Sequence, residues 1–127
     1  MIDRETVARL EGLVGNLDGT YSELREMARK KPNDGLNKFK IGIVNALVGR
    51  LNALLGKKYT PLEGFKGFSE DDVPTNSDVT LILAQYVEQL ERYRADNLKM
   101  SSGRWIYDVQ DRGAELRAAP PAKLTKK

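Results

Sequence analysis

Apolar residues recur along the first quarter of the chain at Val7, Leu10, Val14, Leu17, Tyr21, Leu24 and Ala28. Their spacing alternates three and four, which is the stripe of a helix that packs along its whole length, and it predicts a helix over residues 3–31. Asp3 can cap the first turn, and Arg29, Lys30 and Lys31 suit the negative end of the helix dipole. Pro32 ends the helix, and Asn33-Asp34-Gly35 makes a tight turn.

A second helix is predicted over residues 36–55, and its pattern is broader. Leu36, Phe39, Ile41, Ile43, Val44, Leu47, Val48, Leu51, Leu54 and Leu55 cover more than half of a helical wheel. A surface helix needs an apolar stripe of only about 100°, so this helix is expected to be central and to meet partners on two sides. Gly56 supplies a stop.

Residues 57–76 read as a long loop punctuated by Pro61, Gly64, Gly67 and Pro74, with Phe65 and Phe68 expected to pin it to the bundle. Asn76 or Ser77 is the expected cap of a third helix reaching residue 97. Its apolar face is Val79, Ile82, Leu83, Tyr86, Val87, Leu90 and Tyr93. Beyond Ser101-Ser102-Gly103, β-formers alternate at Trp105, Tyr107 and Val109. A turn at Gln110-Asp111-Arg112-Gly113 and a returning strand over residues 114–118 complete a short hairpin, with a fourth helix as the other reading. The expected fold is therefore mainly α: a three-helix bundle with a short C-terminal β-hairpin or fourth helix. Residues 1–121 form a single helical domain, and residues 122–127 a flexible basic tail.

Composition narrows the chemistry. At 127 residues, 40% hydrophobic and 31% charged, the chain suits one globular domain. No uninterrupted apolar run reaches the ~18 residues of a membrane helix, so no membrane span is expected. Met1 to Glu5 carries both signs of charge and no apolar core, unlike a signal peptide, and a cytoplasmic location is expected. Cysteine and histidine are both absent. That removes disulfides, thiolate or imidazole metal sites, and the common activated nucleophiles. Lys123, Lys126 and Lys127 account for the whole excess of 21 Lys and Arg over 18 Asp and Glu, so residues 1–122 are formally neutral. No catalytic residue, metal or cofactor is expected.

Four features remain as candidates. Gly12, Gly15 and Gly19 form a narrow stripe roughly opposite the Val7–Ala28 seam. Each glycine costs a helix interior about 1 kcal/mol relative to alanine, so the stripe is either a groove for a second copy's helix or a tolerated weakness on a solvated face. Gly42, Asn45, Gly49 and Asn52 form a comparable stripe on the second helix, either a register-setting seam or a narrow exposed face. Trp105 and Tyr107, near Arg104, Arg112 and Arg117, could anchor a protein partner or cover one end of the bundle. Arg29, Lys30, Lys31, Lys38 and Lys40 gather around the first turn and could meet phosphates, although helix-end electrostatics asks for the same residues. Glu70-Asp71-Asp72 reads as a solvated acidic turn, because consecutive acids point apart and match no calcium loop. These features lead to a non-catalytic helical protein-interaction module, an accessory subunit or adaptor, that self-associates through Gly12, Gly15, Gly19, Trp105 and Tyr107. The alternative is a small nucleic-acid-binding protein using the Arg29–Lys40 patch and the lysine tail.

Overall fold

The computed structural model describes residues 1–122. Helices α1 (Arg4–Lys30), α2 (Lys38–Tyr59) and α3 (Asn76–Asp96) are followed by strands β1 (Leu98–Ser101) and β2 (Arg104–Tyr107). This is the three-helix bundle with a C-terminal hairpin that the apolar periodicity predicts. All three helices touch one another, with α1 and α3 the most extensively packed pair. The core is aliphatic: Leu10 and Leu17 of α1, Val48 and Leu51 of α2, and Val79, Leu83 and Tyr86 of α3 are essentially inaccessible. Leu13 is also buried, beyond the strict three-four stripe, because α1 contacts α2 as well as α3.

Each helix start has a side-chain cap that satisfies an otherwise orphaned amide. Asp3 accepts from Thr6 N at 2.8 Å, and Asn37 accepts from Lys40 N at 2.8 Å. At α3 the cap is Thr75 rather than Asn76 or Ser77. Thr75 and Asp78 form a reciprocal capping box, with Asp78 N donating to Thr75 Oγ1 at 3.0 Å. Asn76 is instead buried, and its Nδ2 donates to the Lys31 carbonyl at 3.0 Å, tying the α1–α2 turn to α3. Within α2 the helical path breaks at Gly56, whose φ of 65° is the left-handed conformation expected of a terminating glycine.

The hairpin lies earlier than the alternation at Trp105 suggests. Its first strand is β1, paired antiparallel so that Met100 faces Trp105 and Leu98 faces Tyr107. The turn is Ser102-Gly103, both at positive φ, as a two-residue primed turn demands. Residues 110–113 therefore do not form the hairpin turn. The segment after them still returns beside β2, since Tyr107 N donates to Leu116 O at 2.9 Å and Ala118 N to Trp105 O at 3.1 Å. Arg94 then holds the outgoing chain: its guanidinium donates to the carbonyls of Ala119 and Pro120, and Glu91 accepts from Ala122 N at 2.7 Å. Ala122, assigned by sequence to the tail, is thus anchored. Lys123, Lys126 and Lys127 lie outside the described residues.

Candidate functional site

The outer side of α2 departs from what water requires of an exposed helix. Its exposed residues there are Phe39, Lys40, Gly42, Ile43, Ala46, Gly49, Arg50 and Ala53, and Lys40 and Arg50 are the charges among them. Phe39 is 77% exposed and Ile43 is 48% exposed. The wide apolar arc read from the sequence is thus not all core. Ile41, Val44, Leu47, Val48, Leu51, Leu54 and Leu55 point inward, while Phe39 and Ile43 belong to the opposite side. α2 is also the one described helix long and apolar enough to cross a membrane by length and composition. The absence of an uninterrupted apolar run does not reveal this, because glycine, asparagine and a single arginine interrupt the run without adding much charge.

Two separate hollows lie between this side of α2 and α1. At one, Phe39 and Ile43 of α2 border Thr20, Glu23 and Met27 of α1. At the other, Arg50 and Ala53 border Arg9, Gly12 and Asn16. The first carries large apolar side chains and the second small ones. Gly12 lines the second hollow, and Gly15 and Gly19 are exposed on α1. A β-carbon at any of the three would meet nothing within 4 Å. The glycines therefore serve no close packing inside the chain, and α1 continues unbroken through them.

The second stripe divides in two. Gly42 and Gly49 are exposed, whereas Asn45 and Asn52 hold the long loop. Asn45 Nδ2 donates to Phe68 O at 2.9 Å while its Oδ1 accepts from Phe68 N at 2.7 Å. Asn52 Nδ2 donates to Phe65 O at 2.9 Å, and its Oδ1 accepts from the Tyr86 hydroxyl at 2.7 Å. Phe65 and Phe68 meet edge to face, 5.1 Å between centroids, and pack on the core as expected. These asparagines are neither a seam between copies nor a solvated face; they are a clasp. Amide side chains opposite a Gly/Pro-rich loop were the available signal.

No family model, curated protein or solved structure matches this chain. Its function must be read from its own surface.

Trp105 and Tyr107 do not form a joint outward surface. Tyr107 is 1% exposed and belongs to the core. Alternation sends it inward from β2, where its hydroxyl donates to the Glu11 carboxylate of α1. Burial, and secondarily the Glu11 carboxylate, raises the phenol pKa well above its ordinary value. Trp105 is half-buried opposite Met100. The cations around the first turn are exposed but partly committed. Arg29 and Lys30 both reach Glu26, at 2.5 and 3.6 Å, and Arg29 holds the Glu26 carboxyl below its usual range. Lys40 Nζ lies 3.9 Å from Met27 Sδ, and Lys31 and Lys38 are exposed at the adjoining helix ends. Glu70-Asp71-Asp72 forms an exposed 3-10 turn capped by Ser69. Among the described residues no group of three or more acidic side chains converges on a point where a metal ion could sit.

Proposed function

We propose that this protein is a non-catalytic helical interaction module, an accessory subunit or adaptor, that associates with a second copy of itself through the outer face of α1 and α2. The observation that carries the reading is the outer side of α2, where Phe39 and Ile43 are exposed and Lys40 and Arg50 are the only charges from Phe39 to Ala53. Isolated exposed apolar residues are ordinary, but a contiguous apolar helix side beside a hollow marks an interaction surface. Gly12 lines the hollow beside Arg50 and Ala53, and with exposed Gly15 and Gly19 it leaves the outer surface of α1 low, so an incoming helix can approach closely. Trp105 and Tyr107 have no part in this proposal. A cytoplasmic location belongs to it.

Substituting Gly19→Leu tests the proposal. The site is open, so leucine creates no clash within the chain and improves helix propensity by about 1 kcal/mol. The same side chain projects from the outer surface of α1 that a second copy would approach. Light scattering is expected to report dimer for the wild type and monomer for the variant, with helicity by circular dichroism unchanged. A wild type that remains monomeric at high micromolar concentration contradicts the proposal.

A further inference from the structure

Helix-end electrostatics accounts for Lys30 and Lys31 at the C-terminus of α1, but not for the lysines that follow. Lys38 and Lys40 occupy the first turn of α2, the positive end of its dipole, and that turn holds no acid. Lys40 joins Lys30, Lys31 and Asn76 around a hollow of about 270 Å³ at one end of the bundle, where α1 ends and α2 and α3 begin. Asp34 is the only acid in that lining, so three ammonium groups face one carboxylate. Among the described residues Lys31 and Lys40 have no ion pair. Lys30 shares the exposed Glu26 at 3.6 Å, a contact that solvent keeps weak.

Unsatisfied polar groups line the same hollow. The backbone N–H groups of Gly35 and Asn37 make no hydrogen bond among the described residues. Asn76 is 4% exposed, and its Nδ2 donates to the Lys31 carbonyl, while its Oδ1 is a buried acceptor with no donor. Buried polar atoms are rarely left so, and a ligand that supplies the donor removes the cost.

We infer that this hollow binds a small phosphomonoester that also carries a hydroxyl group, such as a glycerol or sugar phosphate. The phosphate sits among Lys30, Lys31 and Lys40 and accepts from the N–H groups of Gly35 and Asn37, as phosphates do at helix starts. A ligand hydroxyl donates to Asn76 Oδ1. A bare anion answers the cations but leaves that acceptor unpaired, so the ligand needs both parts. The hollow falls just below the ~300–1,000 Å³ of ordinary ligand pockets, a size for a phosphorylated polyol rather than a nucleotide. Only Met27 and Lys40 also border the hollow beside Phe39, and this site does not depend on self-association.

Amide chemical shifts of the full chain, titrated at about pH 8 with glycerol 3-phosphate and with methyl phosphate, test the inference. Both ligands are dianions there, and only the first has hydroxyl groups. Glycerol 3-phosphate is expected to shift Lys31, Gly35, Asn37 and Asn76 saturably, with a dissociation constant of about 0.1–1 mM, and methyl phosphate to bind roughly tenfold more weakly. The triple variant Lys30→Gln/Lys31→Gln/Lys40→Gln changes exposed side chains only and should weaken glycerol 3-phosphate at least about tenfold with helicity unchanged. Absence of saturable shifts at about 10 mM, equal affinity for methyl phosphate, or undiminished binding by the triple variant overturns the inference.

Discussion

Asn45 and Phe68 exchange two hydrogen bonds, the side-chain amide of one matching the backbone N–H and C=O of the other at 2.7 and 2.9 Å. A residue of poor helix propensity inside the central helix thereby substitutes for the strand partner that the loop lacks. Removing it leaves a partly buried donor and acceptor unpaired. Asn45→Ala is expected to cost about 1–3 kcal/mol in denaturant unfolding and to raise amide exchange over residues 61–73 first. Unchanged exchange in that segment would show that the clasp does not hold the loop.

Gly67 makes the clasp geometrically accessible. Its φ is 150°, and a β-carbon there would come 2.7 Å from Asn45 Oδ1. Gly67→Ala combines backbone strain with displacement of the amide and should destabilise by about 1–3 kcal/mol. In an Asn45→Ala background the steric part should vanish, so a double-mutant cycle is expected to show marked coupling. Simple additivity would contradict the proposed contact.

Much of this fold is legible in the sequence because helices in a small bundle bury one face, and burial imposes period. The stripe Val7–Leu24 and the face Val79–Leu90 need no tertiary information. Helix ends were equally readable at Asp3 and Gly56, where chemistry is local. At α3 the capping box shifted the start to Thr75, because the Thr75–Asp78 pair outcompetes a lone asparagine. The hairpin was misplaced for a different reason. Leu98-Lys99-Met100 has no strong strand propensity, and only pairing with β2 makes it a strand. The candidate site was half visible. The glycines of α1 stand out in any helical pattern, but Phe39 and Ile43 look like core until a neighbouring helix is known to lie elsewhere. Tyr107 erred the opposite way, its aromatic character suggesting a surface anchor when β2 turns it inward.

Tyrosine ionisation gives the structure an alkaline limit. Burial raises the phenol pKa of Tyr86, Tyr93 and Tyr107, and that of Tyr59 is pushed up to about 12 by burial and by its hydrogen bond to Asp96. The unfolded chain ionises these groups near pH 10, so the folded state binds more protons above that pH. Their contribution is fully present below pH 10 and is lost as pH rises through each folded-state value, for Tyr59 about 12. Absorbance at the phenolate band should show Tyr59, Tyr86, Tyr93 and Tyr107 ionising together with loss of helicity. Independent titration of these groups near pH 10 would contradict the packing of α3 and β2.

Nucleic-acid affinity is expected to be low, because residues 1–122 carry no net formal charge and Arg29 and Lys30 already share Glu26. Fluorescence anisotropy with duplex DNA or single-stranded RNA at physiological salt should give dissociation constants no tighter than ~10 μM and a steep salt dependence. Tight binding lost on substituting Arg29, Lys30, Lys31, Lys38 and Lys40 by alanine would establish a structured basic face.

Sedimentation equilibrium of the wild type beside Phe39→Asp/Ile43→Asp tests the account most directly. Both substituted side chains are exposed, so two carboxylates there leave the monomer's core intact. From about 1 to 300 μM, a range that brackets a reversible micromolar dimer, the wild-type mass should rise from that of the 14.2 kDa chain toward twice it. The variant should stay at the monomer mass with unchanged helicity. A wild type that sediments as monomer throughout, or a variant that dimerises as well as the wild type, contradicts the claim that the outer face of α1 and α2 joins two copies.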